Sequence, residues 1–404
     1  MDQKSKSLDI LKGIGIIMII AVHNRHFVMQ DMSGLRQLIN LGQMGCQLFF
    51  FASGFSLCHA WQHLHPSRDR IPRFLLRRYL RLAPGFLFFM IVNLMLNILL
   101  MDVLHLSPGF IMNREPRALL VNILFLHGLS PGAVNNVFPG GWYIGTAFLL
   151  YIAFPPLYAV FQRLRNASLR PGCLSVCMAG IPALLLILNI PLLHFVSACA
   201  SKEELPLGNN TFLYYFFTNH LPCFSLGILL FFQHGHPNKP NKDPLPPAAY
   251  AALSAVSAVL CAALFLYPPM PLIYAVIPSL AGLAAYGLAA ALIRIEKRGE
   301  NARVQPCGLV PLRGAAHKRK RLTSPVSRFL ASCGQHSYGM YLAHSLVSWY
   351  GMKALTALLT QNGRTYNDLL LYGLVFLPSV LIIYAMGVAV EKVLSRIDRR
   401  LRRS

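Results

Sequence analysis

The chain is poor in charge, and poorest in acids. Asp and Glu number 14 in 404 residues against 37 Lys and Arg, and charged residues together make 13%. An ordinary soluble domain carries about 25% charged residues. With 55% hydrophobic residues and a mean hydropathy of +0.50, this composition fits a polytopic membrane protein. The net charge of +23 would suggest nucleic acid in a soluble protein, but here it is read against membrane topology. The run HKRKRL at 317–322 has no aromatics on which bases stack, so no nucleic-acid partner is expected. The nine cysteines, at 46, 58, 173, 177, 199, 223, 261, 307 and 333, form no CxxC pair. Neither a disulfide framework nor a metal site is expected from them. No internal repeat is present. Carboxylates are missing from the middle of every apolar run: Asp9, Asp102, Asp368 and Glu391 all lie near a boundary. Ion-coupled transporters usually keep such a group, or a broken-helix site, near the midplane.

What is there is a series of apolar runs. A crossing needs about 20 apolar residues. Runs of that length fall at about 8–29, 41–62, 80–104, 141–162, 172–194, 211–232, 247–267, 271–294, 329–350 and 368–393. These predict an all-α polytopic protein of about ten transmembrane helices. An eleventh run, 118–129, is too short to cross and reads as interfacial or re-entrant. The lysines before the first run resemble a signal peptide, but no small-residue cleavage site follows, so the run is read as the first helix. With the N-terminus cytoplasmic, ten crossings put 30 of the 37 Lys and Arg on the cytoplasmic side. Only Arg25, Arg36, Arg114, Arg117, Lys202, Lys353 and Arg364 remain outside, as the positive-inside rule requires. Both termini are therefore expected in the cytoplasm. The chain reads as one membrane-embedded domain over 1–404, with a basic cytoplasmic loop at 295–328 that anchors topology and touches anionic lipid.

Ionisable groups inside such runs need a reason. In LDILKGIGIIMIIAVHNRH (8–26), Lys12 sits near one end and His23 lies deep in the far half. Lys12 can snorkel to the interface, and His23 can bond a neighbouring helix. The alternative is chemistry. His23 and His344 each lie about 15 residues into a span of the same direction, roughly 22 Å from the cytoplasmic face at 1.5 Å per residue. Two imidazoles at one depth suggest a polar chamber, and imidazole takes a proton from a hydroxyl near neutral pH. RFLLRRYLRLAP (73–84) adds Arg77, Arg78 and Arg81 at the inner mouth of the third span. Arg77 and Arg81 share a helix face, and such planar forks suit phosphates as well as topology.

These segments, together with QLFFFASGF (47–55), PGGWYIGTAFLLYIAFP (139–155) and HSYGMYLAH (336–344), resemble in order the acyltransferase-three family of integral-membrane O-acyltransferases. The resemblance covers nearly the whole chain. The family signature of an arginine, ten residues and a histidine is met by Lys12 and His23; lysine there is similar to the fucose-acetylase-like branch. The resemblance implies transfer of an acyl group, most simply acetyl, from acyl-CoA to a hydroxyl of a surface or exported polysaccharide or its lipid-linked precursor. It implies His23 as the catalytic histidine. It gives Ser53, Trp142, Ser337, Tyr338 and His344 supporting roles on the acceptor side, and Lys12, Arg77, Arg78 and Arg81 the donor. Acetyl-CoA would be a substrate, with no bound cofactor. The place would be the bacterial inner membrane, with a homo-oligomer left open. The chain departs in two places. Lys12 keeps charge without bidentate contact. Ala147 stands where relatives often carry a glutamate, in a segment reading WSIGVE. A transporter or flippase of the acyl donor or of a lipid-linked sugar, and an inactive relative, are the competing readings.

Overall fold

The computed structural model describes residues 6–25, 33–106, 110–199, 211–235, 246–266, 271–304, 324–359 and 367–401. These form fifteen α-helices: α1 (Lys6–Asn24), α2 (Ser33–Asn40), α3 (Gly45–Gln62), α4 (Arg70–Ile98), α5 (Pro116–Ile123), α6 (Trp142–Asn166), α7 (Pro171–Cys199), α8 (Thr211–Tyr215), α9 (Leu221–Leu230), α10 (Pro247–Leu266), α11 (Pro271–Val304), α12 (Pro325–Gln335), α13 (Ser337–Leu346), α14 (Met352–Leu359) and α15 (Asp368–Leu401). No strand occurs among the described residues. The all-α polytopic reading is therefore correct. All ten expected runs are helical, and the short run at 118–129 holds only α5 and a single 3₁₀ turn.

Seven helices among the described residues are, by length and composition, able to cross a membrane. The other three expected spans are α3, which carries Gln47, Ser53, Ser56 and His59, and two interrupted runs. Residues 211–235 break after α8 at Phe216, whose ψ is extended, and resume through a 3₁₀ turn at Phe217–His220. Residues 325–359 break at the single residue His336, between α12 and α13. Mean hydropathy over a whole run hides both breaks because the remaining residues of each run are largely apolar.

The long helices divide into interior and periphery. The most apolar windows of α1 and α11 are each 67% buried, against 17% for α10 and 22% for α7. The peripheral helices hold large apolar side chains outward, such as Phe88, Val176, Val259 and Leu377. Those faces match lipid, which demands an internally satisfied backbone and rewards apolar surface. The basic loop expected at 295–328 begins later than anticipated, because α11 continues to Val304, and α12 starts at Pro325. The HKRKRL segment lies outside the described residues. Ser324 caps α12 by accepting a hydrogen bond from the Ser327 amide at 3.1 Å, with Pro325 in the first turn.

Between helices in lipid there is no hydrophobic drive, so close packing through small residues does the joining. A Cβ on Gly334 of α12 would lie 1.7 Å from the Asp9 carbonyl oxygen of α1. One on Gly13 of α1 would lie 1.9 Å from the Leu330 carbonyl oxygen of α12. The same reciprocity joins α3 to α9: a Cβ on Gly54 would lie 2.1 Å from the Phe224 carbonyl oxygen, and one on Gly227 would lie 2.0 Å from that of Phe51. Thus α1 packs on α12, α3 and α15, while α4 packs on α6, α13 and α15.

Gly334→Ala should force α1 and α12 apart and destabilise the protein by about 1–3 kcal/mol. It should lower the thermal midpoint in detergent; an unchanged midpoint would contradict the backbone contact.

Candidate active site

The centre of the far half of the bundle is an imidazole pair. His23, one residue before the end of α1, and His344, near the end of α13, face each other with ring centroids 4.9 Å apart. Counting along two separate spans placed them at one depth, and the structure brings them together. The Trp349 ring is 6.3 Å from that of His23. Trp349 lies on a π-helical turn at Val347–Gly351, directly after α13. Tyr350 in that turn accepts a hydrogen bond from Asn97 at 2.7 Å, and Asn97 also accepts from the Met112 amide at 2.9 Å. Asn97, just before α4 ends, therefore ties that end to the turn that walls the histidines. Such turns widen a helix locally and are frequent at functional sites.

His344 is fully buried, and its Nδ1 lies within hydrogen-bond reach of the Tyr341 carbonyl. A carbonyl only accepts, so Nδ1 carries the proton and the neutral ring keeps a lone pair on Nε2. That nitrogen makes no hydrogen bond among the described residues. It faces Gly140, where an added Cβ would lie 3.4 Å away and 3.2 Å from the Tyr341 hydroxyl. Gly140 has φ of +82°, a conformation that glycine adopts without strain. Three groups hold its turn: the Tyr341 hydroxyl donates to the Gly140 carbonyl, the Asn135 side chain accepts from the Gly140 amide at 2.9 Å, and His127 Nε2 is 2.9 Å from the Gly141 carbonyl.

A line of phenols leads away from the pair. Tyr341 lies 4.8 Å from His344 and 4.7 Å from Tyr143, centroid to centroid. Tyr143 in turn hydrogen-bonds Ser53. Ser53 is thus connected to the histidines through two tyrosines rather than by contact. Ala147 is buried one turn along α6 from Tyr143, on the same face.

The remaining expected residues fall elsewhere. Trp142 stacks on Tyr215 at 4.5 Å and packs near His220, in an aromatic cluster that Phe50 joins to Tyr143. There His220 is fully buried, its Nε2 3.0 Å from the Tyr214 carbonyl and its Nδ1 3.5 Å from Gln47 Nε2. Ser337 opens α13, about two turns from His344. Tyr338 donates to the Leu82 carbonyl of α4 at 2.5 Å, with Arg81 and Glu391 within electrostatic reach. Arg77 and Arg81 are exposed on α4, and the Arg78 guanidinium sits 5.4 Å from the Phe74 ring centroid. Lys12 lies 4.0 Å from Asp9, its neighbour about one turn back along α1, which also accepts from Gln335 at 3.2 Å. Asp9 and Gln335, with Lys6, Arg328, Ala331 and Ser332, line a cleft of about 320 Å³ at the N-terminal end of α1. Lys12 and the arginines stand on helices that are not principal neighbours, so they do not form one cluster. Tyr143, Gly140, Tyr341, Trp349 and His220 were not singled out from sequence, although the first three lie inside the PGGWYIG and HSYGMYLAH segments.

A bundle of apolar helices enclosing a facing histidine pair, one ring of which has its tautomer set by a backbone carbonyl, defines an integral-membrane protein with a polar site in its interior. The acyltransferase-domain profile of the acyltransferase-three family matches residues 5–388, nearly the whole chain. The chain belongs to that family, and the protein is an acyltransferase. No curated protein and no solved structure matches it.

Gly140→Ala should cost about 1–2 kcal/mol in backbone strain and push a methyl toward His344. Acyl transfer should fall at least about tenfold while the purified protein keeps a cooperative thermal transition. Unchanged transfer would detach this turn from the site.

Proposed function

We propose that the protein moves an acyl group, most simply acetyl, from acyl-CoA to a hydroxyl of a cell-envelope or exported polysaccharide, or of its lipid-linked precursor. The observation that carries this is the imidazole pair enclosed in the bundle of a family member. His23 takes the acceptor's hydroxyl proton as that oxygen attacks the thioester carbonyl. The carbon–sulfur bond breaks, the ester forms, and the CoA sulfur leaves and is protonated, so the proton removed by His23 is returned overall. His344, its Nδ1 proton committed to a carbonyl, offers Nε2 to a donor on the acceptor or to the His23 imidazolium. Partial charge that changes during the step is met by these fixed dipoles rather than by water.

The donor would approach from the N-terminal end of α1, read as cytoplasmic on the distribution of basic residues; the membrane would be a bacterial inner membrane, as in the surface-polysaccharide modifiers that the chain resembles. Lys12 and the cleft beside Asp9 and Arg328 offer one polar contact region. Arg77 and Arg81 on one face of α4, with Arg78, offer the other, and exposed guanidinium groups suit the diphosphate and phosphate of CoA. Tyr338 connects the arginine-bearing helix to α13 and so to His344. Ser53, Trp142 and Ser337 support the acceptor side through the walls that they build.

CoA-thiol release by the purified protein, given acetyl-CoA and a panel of polysaccharide precursors, tests the assignment. His23→Ala should lower acceptor-dependent release by at least about a thousandfold, combining loss of the base with loss of the pair. Normal transfer by that variant would sink the assignment. Neither release nor CoA binding by the wild type would turn the reading toward a transporter or an inactive relative. Arg77→Ala with Arg81→Ala should raise the apparent KM for acyl-CoA about tenfold or more with little change in kcat. A fall in kcat alone would move the donor phosphates away from α4.

A further inference from the structure

Four rings run in file from the far end of the bundle to the centre of the site. Phe110, in the loop before α5, lies 6.2 Å from Trp349, centroid to centroid. Trp349 lies 6.3 Å from His23, and His23 lies 4.9 Å from His344. The outer three are half-buried, whereas His344 and its neighbours Tyr341, Leu342 and Ala343 are buried. The file is thus accessible along its outer part and closed at its inner end. The loop that carries Phe110 is held in place beyond it. There the Met112 amide donates to Asn97 at 2.9 Å, and the Asn113 amide donates to the Asn136 carbonyl at 2.7 Å.

Two polar atoms accompany the rings. Ser348 is fully buried and stands one turn beyond His344, where α13 gives way to the π-helical turn. Residues four apart share a helix face. The Ser348 hydroxyl makes no hydrogen bond among the described residues, and neither does His344 Nε2. Among the buried side-chain atoms without a partner, these two share one face beside half-buried rings. A buried polar atom left unpaired costs free energy, which a ligand that pairs with it recovers.

The combination selects the ligand. An acyl chain would cover the rings and leave both polar atoms unpaired. A small anion would have no use for the rings. A sugar ring answers both. Its C–H faces suit the electron-rich face of an aromatic ring, and its hydroxyls stand around the edge, within reach of polar atoms. Small-molecule sites are commonly built in this way, from aromatic walls with a few placed polar groups.

We propose that Phe110 and Trp349 form a stacking platform for a sugar ring that enters from the far side, with Ser348 and His344 Nε2 pairing its hydroxyls beside His23. That this sugar is the acyl acceptor rests on the function proposed above; that a sugar binds there does not.

Binding is measured first, without turnover. Full-length protein in lauryldimethylamine oxide, a detergent without sugar, is titrated with the methyl glycosides of glucose, galactose, rhamnose and N-acetylglucosamine. Sorbitol, an open-chain polyol, is the control. Tryptophan emission and thermal midpoint report occupancy, Trp349 being one of three tryptophans in the chain. At least one glycoside should bind and shift the emission, and sorbitol should not. Trp349→Ala should weaken binding about tenfold or more, a loss comparable to that of one stacked base. Trp349→Phe should weaken it less and remove most of the emission shift. Ser348→Ala and Phe110→Ala should each weaken it a few fold. The Trp349→Phe and Ser348→Ala variants keep the test decisive should Trp349→Ala fail to fold. In turnover, Trp349→Ala should raise KM for the acceptor and leave KM for acyl-CoA unchanged. No glycoside binding, equal binding of sorbitol, or equal binding by wild type and variants would overturn the platform. A normal acceptor KM in Trp349→Ala would overturn it too and leave acyl transfer standing. Glycoside binding lost in the variants, in a protein that never releases CoA, would leave the platform standing and remove acyl transfer instead.

Discussion

Backbone contact between helices is the constraint on which the rest depends. Inside a bilayer, lipid is as good a neighbour for leucine as another leucine, so a helix gains little by burying apolar side chains. It gains by approaching closely. Gly13 and Gly334 let α1 and α12 touch main chain to main chain, and Gly54 with Gly227 does the same for α3 and α9. Once α1 is seated on α12, α13 follows after one residue, and the rotation of both helices is set. That rotation turns His23 toward His344. Side chains larger than hydrogen at the crossings would separate two rings that now stand 4.9 Å apart.

Several polar groups in this interior are placed by one another. The interruption near Phe216 frees backbone groups, and Asn219 answers it by bonding the Leu213 carbonyl while accepting from Asn189 at 2.6 Å. His127 holds the Gly141 carbonyl, and Tyr341 holds that of Gly140. The turn that faces the His344 lone pair is therefore fixed from both sides. In a medium without water, each such pairing avoids the larger cost of an unmet donor or acceptor. His344 Nε2 is one of several buried side-chain atoms with no hydrogen-bond partner among the described residues, and it faces the turn at Gly140.

Much of the architecture was legible in the sequence, because span length and hydropathy act locally. The ten runs, the non-crossing α5 and the shared depth of His23 and His344 follow from counting residues at a fixed rise. The breaks in the sixth and ninth runs were not legible, since Phe216 and His336 sit within sequences that average as apolar. Their signals were present but weak: Asn219 and Pro222 near one, Gln335 beside His336 at the other. Tyr341 and Gly140 lay within recognisable segments, yet their roles depend on a turn held by groups from α13 and from the loop before α6. No periodicity carries that. Trp142, given a supporting role by the resemblance, stacks on Tyr215 and packs near His220, a placement that depends on the interrupted run at 211–235 and so on no pattern in the sequence.

The histidine pair is also a statement about time. His23 and His344 are separated by about 320 residues, and ribosomes add roughly 5–20 residues per second. For some 15–60 s during synthesis, α1 lies in the membrane with Asp9, Lys12 and His23 and without α12 or α13 to meet them. Its apolar stretch and its packing on α3 must hold it there meanwhile, and the residues between Lys12 and His23 are apolar or glycine throughout. A chain that stalls before α13 has every basic contact proposed for the donor but no facing imidazole for His23. The histidine pair therefore cannot form until α13 has been made, with only α14 and α15 still to follow among the described helices.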